Sequence, residues 1–312
     1  MFYQSENWAL FQKKRGFETF FVDDILIIKK PLFFGKCFFE IQRALFDEKK
    51  WHKIIENAKE EKAVFIRIAW DDEVLPDFIS KKAYKSTVHH FPELTLILDL
   101  SKTEQELLAD MSQSGRRHLR KAQKSDIEIK EVSDVDGFYQ ILEETTSRNG
   151  FFGHKKEYYQ NLLKYLGGQI FMINAIHEGD LLSSCIFVND DDTCIYLYGA
   201  SSNHKRELQA PTLLQYEAIL KAKKQGKRYY DFFGIAPSDQ LDHPWKNVTQ
   251  FKKKFGGHEK SYAPEAEFAV NKFWYFVFVF LKGLRKIFKT LKHQFSMIFG
   301  LDFCFKFFYL YP

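Results

Sequence analysis

Three apolar blocks open the chain's ordered pattern: GFETFFVDD, ILIIKKPLFF and KCFFEIQRALF, spanning residues 16–46. Their Phe, Ile and Val content and short length predict strands. DEKKWHKIIENAKEEK (47–62) predicts a helix, and AVFIRIAW (63–70) another strand. After the loop HHFPE, LTLILDL (94–100) predicts a further strand. Ser101 then precedes KTEQELLADM, whose acidic first turn suits a helix start, and Ser112 or Ser114 caps GRRHLRKAQK.

The same grammar returns downstream. IEIKEV predicts a strand, DVDGFYQILEETTSR and KKEYYQNLLKYL two helices, and QIFMINAIHE, LLSSCIFVND and CIYLYGAS three strands. PTLLQYEAILKAKKQG follows as a helix, with Pro211 in its first turn and Gly226 as its stop, and delivers the chain into the strand RYYDFFGI. Alternating elements imply an α+β or α/β class. Three strands, a helix and a strand is the order of the GCN5-related N-acetyltransferase (GNAT) fold, in which the helix N-terminus faces an acyl-donor pyrophosphate. The corresponding turn here, Arg206-Glu207-Leu208-Gln209-Ala210-Pro211, has Gln where a bare glycine is wanted and a proline that supplies no N–H. The order implies the fold; the turn argues against coenzyme A.

Composition adds scale and location. A chain of 312 residues, 45% apolar and 17% aromatic, is long enough for two packed domains. The net charge of +5 is local: residues 272–312 hold seven Lys/Arg against Asp302, so the rest sums to −1. Cys37, Cys185, Cys194 and Cys304 are far apart, without metal-ligand spacing, and read as reduced core thiols; no metal is expected. MFYQSENWALFQKKRGF has no apolar export core, which places the chain in the cytoplasm. No Walker loop, HExxH or GxSxG occurs, which removes support for nucleotide hydrolysis, zinc proteolysis and serine-hydrolase chemistry.

A series of motifs in register then narrows the field: LTLILDLSKTEQELLADMSQSGRRHLRKAQK, TSRNGFFGHKKEYY, IYLYGASS, LQAPTLLQYEAILKAKKQGKRYYDFFGI and FKKKFGG. From about Leu94 to Gly257 the chain resembles the FemABX peptidoglycan aminoacyltransferases. That resemblance implies two tandem GNAT-like domains and transfer of an amino acid from aminoacyl-tRNA to the peptide stem of a peptidoglycan precursor, forming an interpeptide bridge. The expected division is 1–131 for the first domain, completed by 257–271, 132–256 for the second, and 272–312 as a basic aromatic helical tail. Aminoacyl-tRNA would be co-substrate, with no cofactor. The precursor, lipid-linked or UDP-linked, would be the other partner. Two other readings stand beside it: an acyl-CoA-dependent N-acyltransferase, and a non-catalytic membrane-surface protein of the cell-wall machinery.

An activated ester meeting an amine needs placement and a cation for the developing oxyanion. The resemblance assigns this to Lys252, after Phe251. It makes Asp231 and Gly234, in D-F-x-G, a substrate-side pair: the carboxylate more positional than catalytic, the glycine allowing close approach of the ligand. Arg148 suits phosphate or carboxylate, or caps its helix. Tyr158 and Tyr198 are core aromatics by pattern and substrate contacts by resemblance. Arg116, Arg117, Arg120, Lys121 and Lys124 lie within nine residues, with 116, 120 and 124 along one helix face, a basic ridge suited to tRNA phosphates.

The tail KFWYFVFVFLKGLRKIFKTLKHQFSMIFGLDFCFKFFYLYP has fifteen aromatics in 41 residues, and its uninterrupted apolar run, Phe273–Leu281, is too short to span a bilayer. Leu284, Ile287, Phe288 and Leu291 fall at helical spacing, with lysines and Arg285 mostly opposite. The pattern fits a helix lying on the inner face of an anionic plasma membrane, as against one packed on the first domain.

Overall fold

Every residue of Cys37–Ala44 and Ala63–Trp70 is buried on both sides of the pleat, Glu40, Gln42, Arg43 and Arg67 included. Strands of that kind belong in the middle of a covered sheet. The computed structural model, which describes residues 1–88, 90–149, 153–240 and 242–284, places them there.

In chain order the helices are α1 Glu6–Lys14, α2 Glu48–Glu60, α3 Asp77–Ser80, α4 Glu104–Asp110, α5 Gln113–Gln123, α6 Val135–Asn149, α7 Lys156–Leu166, α8 Ala210–Lys224 and α9 Lys246–Lys252, followed by α10 over 272–284. The strands are β1 Glu18–Val22, β2 Ile25–Pro31, β3 Cys37–Ala44, β4 Ala63–Trp70, β5 Ala83–Lys85, β6 Leu94–Asp99 and β7 Glu128–Val132. They continue with β8 Ile170–His177, β9 Asp180–Asp190, β10 Thr193–Ser201, β11 Tyr229–Gly234, β12 His258–Ser261 and β13 Ala266–Ala269.

Two mixed sheets result, with orders β1-β2-β3-β4-β13-β5 and β12-β6-β11-β10-β9-β8-β7. In each, three antiparallel strands lead through one helix into a strand parallel to the third: β1–β3, α2, β4 and β8–β10, α8, β11. The expected α+β class and tandem arrangement are what the chain adopts. The division differs from the expected one at residue 131. β6 pairs with β11 and β7 with β8, so 94–132 belongs to the second sheet, and the sheets part in the loop after β5. The C-terminal return is shared: β12 joins β6, whereas β13 inserts between β4 and β5. The cap of α4 is Thr103, in a reciprocal capping box with Glu106, rather than Ser101; Ser112 caps α5.

Helix α1 is absent from the sequence expectations. Its Ser5 cap and inward Trp8, Ala9, Phe11 and Gln12 seat it in a cluster that joins both halves, with Phe2, Tyr3, Leu26 and Ile28 from one side and Phe138, Leu162, Ile186 and Val188 from the other. Cys37, Cys185 and Cys194 are buried thiols, and Cys304 lies outside the described residues.

The tail's first residues form α10, packed on the first sheet: Tyr275, Trp274 and Phe278 lie against Phe38, Val64 and Phe65. Leu284 ends the described part, and Ile287, Phe288 and Leu291 fall outside it. Beneath α10, Glu267 on β13 is a buried carboxylate. Its Oε1 accepts from Arg67 Nη2 at 2.7 Å, Arg67 Nε at 3.1 Å and Ser86 Oγ at 3.0 Å, and its Oε2 from the Tyr275 hydroxyl at 2.9 Å. Removing one partner of such a pair leaves a charge stranded away from water. Glu267→Ala is expected to lower unfolding free energy by about 3–5 kcal/mol in urea titrations; a loss under about 1 kcal/mol would show that Arg67 finds another partner.

Candidate active site

β10 and β11 are parallel partners only briefly. Thr193, Cys194 and Ile195 pair with Tyr229, Tyr230 and Asp231, and the strands then separate. Each is irregular where they part: β10 slips against β9 between Tyr196 and Tyr198, and β11 slips against β6 between Asp231 and Gly234. The β11 bulge puts Phe233 at φ 61, a left-handed conformation costing an aromatic residue roughly 1–3 kcal/mol. Asp231 offsets that: its Oδ1 accepts the Phe233 N–H at 2.7 Å.

The bulge turns the Gly234 carbonyl toward α9, where Lys252 Nζ donates to it at 2.7 Å. α9 is pinned by Thr249, whose Oγ1 accepts from Ala236 N at 2.7 Å, and Phe251 packs edge-on to Phe255. Gly234 is required by the protein itself. A Cβ there would stand 2.6 Å from the Trp245 ring and 2.9 Å from Pro92 Cβ, so the space read from sequence as room for a ligand is filled by side chains. The lysine ammonium lies 5.6 Å over the Tyr196 ring.

Asp231 and Lys252 are both 6% exposed. Burial pushes the carboxyl of Asp231 up to about 6, against the Phe233 N–H and the charges of Lys252, Arg43 and Lys260. Burial also brings Lys252 down to about 7, with Asp231 acting in the opposite direction. Desolvation thus outweighs mutual attraction for both. An ammonium has three donors. Among the described residues Lys252 commits one, to Gly234.

The first sheet supplies a residue that the sequence reading passed over. β3 slips against β4 between Gln42 and Ala44, leaving Arg43 at φ 45. Its guanidinium donates to Trp70 O at 3.2 Å and Pro92 O at 2.6 Å, and lies 3.7 Å over the Tyr262 ring. An arginine among the largely apolar residues of CFFEIQRALF was the available signal. Tyr3 lies between this group and a second cluster, feeling both Asp231 and Tyr158.

That cluster unites Tyr158 and Tyr198, whose hydroxyls are 3.0 Å apart. His154 stacks on Tyr158 at 3.8 Å, and the Arg15 guanidinium stands 5.3 Å over the same ring. Burial raises the phenol of Tyr158, and that of Tyr198 further. The Arg148 side chain and residues 150–152 lie outside the described residues.

On α5, Arg117, Arg120 and Lys121 are exposed, as is Lys124 at its C-cap. Arg116 leaves the expected ridge, because its Nη1 donates to Ala109 O at 2.9 Å and to Met111 O, capping α4. α5 sits hard against the turn after Lys252: Ser112 N donates to Lys254 O at 2.9 Å, and a Cβ on Gly115 would stand 2.6 Å from that same oxygen. α8 follows Gln209, which is left-handed at φ 59 and makes no side-chain cap bond, and it carries a proline in its first turn.

The sequence matches the FemAB family over residues 81–180 and 172–283. It is 23% identical to the Lipid II:glycine glycyltransferase of Staphylococcus aureus (strain USA300), the alignment covering 74% of each chain. The crystal structure of FemX superposes with a TM-score of 0.77 at 19% identity, covering 89% of this chain and 94% of that one. The C-terminal domain of a putative lysylphosphatidylglycerol synthetase from Agrobacterium fabrum gives 0.56 at 12% identity, over 84% and 85% of the two chains.

Gly234→Ala is expected to cost about 1–3 kcal/mol by overpacking against Trp245. The loss should be partly restored by adding Trp245→Leu. Equal stability of Gly234→Ala and the parent in urea titration would show that the ring moves freely.

Proposed function

The chain belongs to the FemAB family, and from that premise we propose that it is an aminoacyltransferase of peptidoglycan synthesis, moving an amino acid from aminoacyl-tRNA to the amine of a precursor's peptide stem. The observation that carries the reading is the buried Lys252 ammonium, fixed by the Gly234 carbonyl at 2.7 Å where β10 and β11 part.

The chemistry asks little else of the protein. The acceptor nitrogen attacks the ester carbonyl, the C–N bond forms, the bond to the ribose oxygen breaks, and the proton lost by nitrogen ends on that oxygen. Negative charge passes through the carbonyl oxygen on the way. Lys252 is the group placed to meet it, in a site where water competes weakly. Phe251 holds the helix carrying it against the core, and Asp231 is a positioning residue, bracing the bulge that presents the Gly234 carbonyl.

Tyr158 and Tyr198, with Arg15 over the first, offer hydroxyls and an aromatic wall for the precursor. The ridge of Arg117, Arg120, Lys121 and Lys124 suits tRNA phosphates, and its helix touches the turn that follows Lys252, so donor binding and catalytic lysine share one scaffold. The start of α8, preceded by left-handed Gln209 without a side-chain cap bond and lacking an N–H at Pro211, favours this donor over coenzyme A. No cofactor is invoked. The reaction belongs at the inner face of the plasma membrane, where a lipid-linked precursor would be met.

Purified protein incubated with charged tRNAs and precursors should yield an amide-linked product by mass spectrometry, and Lys252→Ala should lower kcat/KM by roughly 10²–10³-fold. The working form is the ammonium, present below its pKa of about 7, so the profile should fall as pH rises through that value. Lys252→Arg should carry the falling limb upward, because a guanidinium keeps its charge. A limb at the same pH in both proteins would remove Lys252 from the chemistry.

A further inference from the structure

Helix α10 is apolar on two sides and covered on one. Tyr275 and Phe278 face the first sheet, whereas Phe273, Phe276 and Phe280 are 67%, 68% and 56% exposed. Beside them stands the tip of the β2–β3 hairpin, Phe33–Gly35, where Phe34 is 79% exposed. Trp274 bridges the two elements, its ring 6.1 Å from Phe33 and 6.3 Å from Phe34, with Lys36 Nζ 5.1 Å above it. Phe34 also has φ 53, a strained backbone for an aromatic residue, and its ring gains little burial within the chain for that strain.

We propose that the hairpin tip and the outer face of α10 together dock on an anionic lipid bilayer, with Phe34, Phe273, Phe276 and Phe280 entering the headgroup–acyl boundary beneath a collar of lysines. Charge selects this occupant. Residues 31–39 carry Lys36 and no acid, and 269–284 carry Lys272 and Lys282 and no acid, whereas Lys29 and Lys30 on β2 are already paired with Glu18, Glu61 and Glu40. A second copy seated on the same face would bring like charge to like charge. The chain's own residues 285–312, with five Lys/Arg against Asp302, would do the same. An anionic leaflet is complementary, and fluid lipid takes rings projecting from a turn and a helix without needing a matching groove. No described helix is long and apolar enough to cross a membrane, so the contact is interfacial. The inference deepens the proposed function, since a lipid-linked acceptor would lie at that surface, but its geometry is separate from Lys252.

The test is co-sedimentation of the full-length protein with vesicles of phosphatidylcholine alone or mixed with phosphatidylglycerol, alongside Phe34→Glu/Phe276→Glu. Both positions are exposed, so an unchanged melting temperature should accompany the substitution. Wild type should favour the anionic vesicles and release from them in high salt, and the double variant should bind about 10-fold more weakly or less. Indifference of wild type to vesicles would overturn the proposal. So would a double variant that binds like wild type, or a wild-type dimer that the substitution dissociates without changing vesicle binding. Turnover of a soluble nucleotide-linked precursor, expected to survive the substitution, reads the transferase assignment separately: no product there with intact vesicle binding would sink only that assignment.

Discussion

A lysine ammonium held out of water is the constraint to which the surrounding second sheet answers. Desolvation of such a group is expensive, and here it brings Lys252 down to about 7 even with a carboxylate nearby. What keeps the nitrogen in place is a backbone carbonyl, and a strand ladder does not ordinarily offer one sideways. β11 frees it by bulging between Asp231 and Gly234. The bulge forces Phe233 left-handed, Asp231 satisfies the N–H of Phe233, and Trp245 closes over Gly234. Each residue of the motif thereby answers a need created by the one before it.

The two sheets put one arrangement to different uses. In the first, parallel β3 and β4 stay paired along nearly their whole length, from Cys37 with Ala63 to Ala44 with Trp70, buried on both faces. In the second, the corresponding pair separates after three residues and opens a wedge. The first sheet is scaffold, yet its own irregularity reaches the wedge: the slip at Arg43 sends a guanidinium toward Pro92 and Tyr262, where its charge acts on Asp231.

Much of this is legible in the sequence. Strand and helix positions followed from periodicity because burial is local in its demands, alternation for a half-covered strand and apolar runs for a covered one. D-F-x-G and F-K were legible as motifs of one family. Their reason was not: nothing in the residues near Gly234 shows that Trp245, eleven positions on, occupies the space a Cβ would need. The sheet boundary was also hidden, because β6 pairs with β11, over a hundred residues away, and short-range pattern carries no information on such pairing. Arg116 was misplaced for a related cause. Helical spacing gives a face but not the rotamer, and the guanidinium turns back to cap α4. α1 was passed over because Glu6, Lys13 and Lys14 mark its ends with charge while its buried side, Trp8 and Phe11, is short.

The loop between the sheets explains why the site does not come apart along the line where they meet. A connection of that kind could be slack, but Glu265, buried in the strand return from β12 to β13, accepts the backbone N–H groups of both His90 and Phe91, while its own carbonyl accepts from Ser86 N at 2.8 Å. Pro92, next along, takes the Arg43 guanidinium from one sheet and rests against Gly234 of the other. Phe91 meets Tyr3 edge-on at 5.0 Å. The residues that set the environment of Asp231 are thus fastened to the same few peptide units. Separating the sheets would expose those buried groups in the same step, so the environment that shifts Asp231 and the junction between the halves are one structural unit.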